Sequence, residues 1–202
     1  MTNLLSSDTA DFEGGTLGDW SVEASKVGDT VATNSTAQAF AGTHSLRIGF
    51  TTTVSAFTYG IQMSDVVGGV DVWNIAKTFP LDDTKTYDFE FRKFIYPGPS
   101  GSPGTDSWVM QCACFDSSFS LLGYKLLASG SDSTTGWYGI IGSSWSPLAG
   151  SVYGALRFAG NGSFGPTPST NWAVYLDSFR FEEHVVPAVG GWGVGQVRMG
   201  AN

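Results

Sequence analysis

One stretch constrains the fold more than any other. Over residues 86–94 the chain reads Thr-Tyr-Asp-Phe-Glu-Phe-Arg-Lys-Phe, an alternation of aromatic and charged residues. Side chains of an extended strand point in turn to opposite faces, so Tyr87, Phe89 and Phe91 share one face and Asp88, Glu90 and Arg92 the other. A helix would scatter the same residues around its whole circumference. The segment is therefore predicted as a strand with one face in a core and one in water. Residues 151–158 alternate too, with Val152, Leu156 and Phe158 expected inward and Tyr153 and Arg157 outward.

Further strands are predicted over 45–50, 55–63, 71–79, 108–115, 121–127, 137–145 and 172–181. Gly, Pro, Ser and Asp clusters at 82–84, 97–104, 129–132 and 160–162 read as turns, and 97–104 as a long exposed loop inside the domain. No segment carries a capped 3.6-residue apolar stripe. The charged fraction is 14%, against about 25% in an average globular protein, so few residues are available for solvated helices. Short strands separated by Gly-rich turns describe an all-β protein, an antiparallel two-sheet sandwich of jelly-roll type with little or no helix. With 42% hydrophobic residues the chain can build a real core. Residues 1–184 are read as one domain, and the Gly- and Val-rich segment 185–202 as a C-terminal arm.

Charge excludes some partners. The 10 Lys and Arg are outnumbered by 18 Asp and Glu, and the basic residues do not cluster, so nucleic acid and anionic membrane surfaces are poor partners. No apolar run approaches the roughly 18–20 residues that span a bilayer. The first residues, Met-Thr-Asn-Leu-Leu-Ser-Ser-Asp, lack the basic and apolar regions of an export signal, and synthesis in a cytoplasm is the expectation. Cys112 and Cys114 lie two apart on one predicted strand, where side chains run parallel, and are expected as two buried free thiols. His44 and His184 are the only histidines, and neither has zinc-ligand spacing to the cysteines.

The order of short motifs resembles a known family. Phe12-Glu13-Gly14-Gly15 precedes Gly18-Asp19-Trp20; then come Gly42-Thr43-His44-Ser45-Leu46, Lys85-Thr86-Tyr87-Asp88-Phe89, Ala155-Leu156-Arg157-Phe158 and a closing strand with Asp177-Ser178. Over residues 3–182 this resembles the carbohydrate-binding modules that accompany xylanases and cellulases, within the jelly-roll clan that includes galactose-binding-like domains. The resemblance implies a non-catalytic sandwich. It also implies one structural Ca2+ between the first and last strands, with carboxylate ligands at Glu13 and Asp177 and carbonyls near Gly15 and Thr43–His44. Where the family closes on Asp-Asp, this chain has Asp177-Ser178, one oxygen ligand fewer.

Three functions follow from these residues. Sugar binding needs aromatic rings and polar side chains on an outer sheet face, and Tyr153, Arg157, Asp88, Glu90, Arg92 and Trp73 are the candidates, with Trp108, Trp145 and Tyr59 of unassigned facing. Glycoside hydrolysis would need two carboxylates, for which Asp88 and Glu90 share a face, but Arg92 beside them favours the ionised form of both. A G-x-S-x-G elbow and a phosphate loop are both missing from the sequence. An extracellular-type fold with free thiols and no export signal suits a bacteriophage virion protein, and many phage decoration and tail proteins resemble these modules. The leading expectation is thus a virion-surface protein, a capsid decoration or tail-associated protein with capsid or tail proteins and surface polysaccharide as partners. In it the arm docks through Trp192, Val189 and Val194. The alternatives are a stand-alone module of a glycan-degrading system and a lectin-like glycoside hydrolase.

Overall fold

The computed structural model describes residues 2–50, 56–96, 106–132, 135–163 and 173–185. A four-residue helix, α1 (Ser7–Ala10), leads into thirteen strands: β1 (Ser21–Val22), β2 (Thr30–Ser35), β3 (Ser45–Phe50), β4 (Ala56–Gln62), β5 (Asp65–Val67), β6 (Val70–Val72), β7 (Phe79–Pro80), β8 (Tyr87–Tyr96), β9 (Asp106–Phe115), β10 (Leu121–Asp132), β11 (Gly136–Trp145), β12 (Tyr153–Ser163) and β13 (Ala173–Glu183). Sheet I has the order β1-β4-β12-β9-β10, with β7 also on β12; sheet II has the order β11-β8-β13-β3-β2. Their strand pairs are antiparallel, and β5 and β6 form a separate hairpin. The fold is the predicted all-β sandwich.

Strand β8 alternates buried and half-buried residues along its whole length. Its inner rings meet those of the facing strands: Phe91 stacks on Phe179 at 5.6 Å and 11°, and Trp108 stands edge-on to Phe91 at 5.9 Å. Trp108, Trp145 and Tyr59 all belong to this core. Cys112 and Cys114 are buried free thiols, as expected. In β13 Ser178 takes a positive φ of 54°, and the register shifts between Asp177 and Arg180. That bulge turns Phe179 inward onto Phe12 and Trp20.

The structure departs from the expectations in four places. Residues 71–79 are not one strand: β6 ends at Val72, a 3-10 turn occupies Ile75–Lys77, and β7 follows. Asn74 breaks the run because its side chain accepts the N–H of Ala76 and caps that turn. Residues 129–132 and 160–162 are not turns but continue β10 and β12. Their glycines serve aromatic rings: a Cβ on Gly130 would fall 2.8 Å from the Trp108 ring, and one on Gly160 would fall 2.4 Å from Tyr59. Finally, Val152 lies just ahead of β12 and is only half-buried, whereas Gly154, Leu156 and Phe158 are buried. The expected loop 97–104 and the arm beyond Val185 lie outside the described residues.

Candidate functional site

The outer face of sheet I carries a polar cluster under an aromatic wall. Arg157 on β12 pairs with Gln62 of β4 on one side and Gln111 of β9 on the other. Its Nε lies 2.5 Å from Glu23 Oε1, its Nη1 donates to Gln111 Oε1 at 2.7 Å, and its Cζ sits 5.7 Å from the centre of the Tyr124 ring. Glu23 precedes the 3-10 turn Ala24–Lys26, and its N–H donates to the carbonyl of Gly60 at 2.9 Å. Asp71 of β6 accepts the N–H of Ala24 at 2.8 Å and ties the hairpin to this turn. Gln62 is only 2% exposed, and its Nε2 has no hydrogen-bond partner among the described residues.

The wall is built from aromatic contacts. Tyr124 is 44% exposed and lies 6.3 Å from Trp73. Trp73 stands edge-on to Phe115, which stacks on Phe119, which meets Tyr153. Beyond Arg157 the face opens into a cavity of about 310 Å³ bordered by Lys26, Thr58, Ser107, Val109 and Asn161. Small residues, Ala155 and Ala159, occupy the outer positions of β12 on either side of Arg157, so the cluster lies in a trough. A guanidinium fixed by the buried Glu23 carboxylate, with the Gln111 amide and an aromatic ring beside it, offers hydrogen-bonding groups to hydroxyls and an apolar plane to a C–H face.

The predicted ligand residues are thereby split between two faces. Tyr153, Arg157 and Trp73 lie on the outer side of sheet I; Asp88, Glu90 and Arg92 lie on the outer side of sheet II. There Arg92 pairs with Glu90, and its Cζ sits 4.7 Å from the Phe40 ring. Asp88 accepts from the backbone N–H of Ser144 at 3.1 Å and bonds to Nδ1 of His184 at 2.8 Å. Partial burial pushes the Asp88 carboxyl up, but the hydrogen bonds of His184 and Ser144 outweigh it and hold the group below its ordinary range. An acid catalyst of glycoside hydrolysis needs the opposite shift.

Glu13 and Asp177 are bound to donors. Glu13 Oε1 accepts the N–H groups of Thr43 and His44 at 2.9 and 2.8 Å, and Oε2 accepts the Thr43 hydroxyl at 3.0 Å. Two backbone hydrogen bonds, that of His44 first, hold the Glu13 carboxyl down at about 2. Asp177 Oδ2 accepts the N–H groups of Phe40 and Ala41 at 2.7 and 3.1 Å, and Oδ1 that of Ser178 at 2.6 Å. Burial pushes Asp177 up, against these bonds. The resemblance implies carbonyls near Gly15 and Thr43–His44 as further ligands; toward Glu13 itself the Thr43–His44 loop turns its N–H groups. Donors aimed at both carboxylates do not suit a Ca2+, which takes oxygen ligands. Gly42 lets the loop close over Glu13: at φ 66° a Cβ would fall 2.4 Å from its carboxylate.

Sequence reasoning missed Tyr124, Glu23, Gln111 and Gln62. Tyr124 was accessible through the alternation of β10; the others have no local signal, because only strand register brings them beside Arg157. Val189, Trp192 and Val194 lie outside the described residues.

No protein-family model matches the chain, and no curated protein matches its sequence. Solved structures match its fold. The CBM22-1 xylan-binding domain of Paenibacillus barcinonensis Xyn10C has a TM-score of 0.52 at 18% identity, covering 86% of this chain and 91% of that one. The C-terminal family 22 carbohydrate binding module of Clostridium thermocellum Xyn10B has a TM-score of 0.53 at 16% identity, covering 86% and 90%. The CBM22-2 xylan-binding domain of the Paenibacillus protein scores 0.51 at 18% identity, covering 87% and 98%. The chain has a carbohydrate-binding-module-like fold.

Proposed function

We propose that the chain is a non-catalytic polysaccharide-binding module and that it binds through the outer face of sheet I. The observation that carries this reading is Arg157, held between Glu23 and Gln111 beneath the exposed ring of Tyr124. Preorganised polar groups bind with little ordering cost, and an exposed ring adds a stacking surface. The structural neighbours are named as xylan-binding, so xylan is the first ligand to test. In affinity electrophoresis against xylan, glucans and bacterial surface polysaccharides, at least one polymer should retard the protein. Tyr124→Ala and Arg157→Ala should each weaken the retardation, and Arg92→Ala on the far face should not. Equal retardation of all three variants would remove the reading.

We further propose display on a viral particle, as a capsid decoration or tail-associated protein held by residues 185–202. The buried thiols of Cys112 and Cys114 favour it, because a sandwich with unpaired cysteines suits folding in a reducing cytoplasm. Incorporation of the full chain into purified particles, lost on deleting 185–202, is the expected result.

A further inference from the structure

The core contains a charged cluster that the binding reading does not use. Lys93 follows the inner parity of β8 after Tyr87, Phe89 and Phe91, and its side chain is 0% exposed. Its Nζ lies 2.6 Å from Asp106 Oδ2 and 2.7 Å from Asp132 Oδ2. Asp106 and Asp132 stand directly opposite each other on β9 and β10. The Tyr59 hydroxyl lies 2.9 and 3.1 Å from the two oxygens of Asp106, and Trp108 Nε1 donates to Asp132 Oδ2 at 2.7 Å. The ammonium sits 5.4 Å from the centre of the Trp108 ring, and Phe91 and Phe158 pack on that ring. Gly130 and Gly160 give up side chains to seat Trp108 and Tyr59, so both strands are shaped around this cluster.

One ammonium and two carboxylates in a dry core are expensive to keep charged. Burial pushes the Asp106 carboxyl above its ordinary range, with Lys93 pulling the other way. Asp132 keeps 16% of its side chain exposed and is the more solvated of the two acids. A primary amine and a carboxyl held together without water are the reactants of an amide, and an oriented pair reacts with an effective molarity of about 10⁵–10⁸ M.

We propose that Lys93 and Asp106 join in an intramolecular isopeptide bond that staples sheet II to sheet I, with Asp132 as the proton carrier. One ammonium proton passes by way of Asp132 to an Asp106 oxygen, leaving a neutral amine and a carboxylic acid. The amine lone pair attacks Cγ of Asp106, and the Tyr59 hydroxyl donates to the oxyanion that forms. Asp132 then takes a second proton from the nitrogen and delivers it to the hydroxyl on Cγ. The C–O bond breaks, one water leaves, and the C–N amide remains. Asp132 ends as it began, and nothing is oxidised or reduced. The product removes two opposite charges from the core and leaves Asp132 with the Trp108 N–H and the new amide N–H as donors.

The test is the intact mass of the purified full chain, denatured and reduced. The wild type should be lighter than its sequence by one water, and Lys93→Met, Asp106→Ala and Asp132→Ala should each keep the full mass of their sequences. A tryptic digest should contain one branched peptide that joins Lys93 to Asp106. A wild type at full mass overturns the proposal even if every variant misfolds. So does a water loss that persists in Lys93→Met, which would mark cyclisation at an aspartate. A branch from Lys93 to Asp132 overturns the assigned roles.

Discussion

Arg157 and Lys93 are each gripped between side-chain oxygens, yet one lies on a sheet face and the other inside the sandwich. Arg157 keeps a quarter of its side chain in solvent, whereas Lys93 keeps none. Arg157 and Gln111 reach solvent and can turn donors and acceptors to a ligand hydroxyl, while Glu23, its side chain only 7% exposed, anchors the guanidinium from below. In the core nothing can be traded. Each charge there must keep its partner, or chemistry must remove both. A cation between side-chain oxygens therefore makes a recognition surface in one place and a covalent staple in the other, and two variables separate them: access to water, and an amine facing a carboxyl in place of a guanidinium facing an amide.

The largest effect should come from breaking the sealed cluster. Lys93→Ala removes the staple and leaves Asp106 and Asp132 facing each other in the core, where breaking even a non-covalent buried pair costs about 3–5 kcal/mol. Urea unfolding should show this as a lower midpoint, with a slope no smaller than that of the wild type because the unlinked chain exposes at least as much surface when unfolded. If Lys93→Ala costs no more than a surface substitution, the contrast with Arg157 collapses. Next in size is the open cluster. Tyr124→Ala should lower glycan affinity about two- to tenfold, because an aromatic contact is worth about 0.5–1.5 kcal/mol and about 1.4 kcal/mol is tenfold. Its unfolding free energy should move by only about 0.5 kcal/mol, since the ring is half in solvent. A Tyr124→Ala variant that loses stability but keeps its affinity would turn the open cluster into a structural one.

The alternation in residues 87–91 already assigned the inner and outer faces of β8, and extending its parity by two places puts Lys93 in the core. What the parity could not supply was a reason to bury a lysine. That reason lies in Asp106 and Asp132, which come from other strands and meet Lys93 only through register and sandwich packing. Asp132 was further hidden because Ser129-Gly130-Ser131-Asp132 has the composition of a turn. Glycine in such a run serves two purposes that composition cannot separate: freedom at a bend, or space under a ring. Here it is space for Trp108. Arg157 was legible as outward-facing, but Glu23 and Gln111 reach it from positions more than 40 residues away.

Glu13 extends the comparison to a carboxylate bound by backbone N–H groups at the surface. Its folded carboxyl is held down at about 2 by the N–H groups of His44 and Thr43, against 4.5 ordinarily. A depressed acid contributes stability that is fully present above its unfolded value and is lost as pH falls through its folded value. The contribution should therefore fade between about pH 4.5 and pH 2. Glu13→Gln should flatten the fall of thermal stability across that window and leave the stability near pH 7 slightly lower than wild type. Equal acid sensitivity in both proteins would show that Glu13 does not hold the Thr43–His44 loop.

The smallest expected effect is that of calcium, and its smallness is the point. A Ca2+ bound only to the folded chain would stabilise it by about 2.7 kcal/mol at a hundredfold excess over Kd. To bind at Glu13 and Asp177 it would have to displace the N–H donors of Thr43, His44, Phe40 and Ala41, leaving them without acceptors near a cation. The geometry thus sets two uses of the same carboxylates against each other, clamping loops or coordinating metal, and the donors already present favour the clamp. The melting temperature in chelator and in millimolar calcium should be the same. A rise with calcium that disappears in a Glu13→Ala, Asp177→Ala variant would mean that the loops re-form around the ion with their carbonyls turned inward. The carboxylates would then be metal ligands rather than hydrogen-bond acceptors.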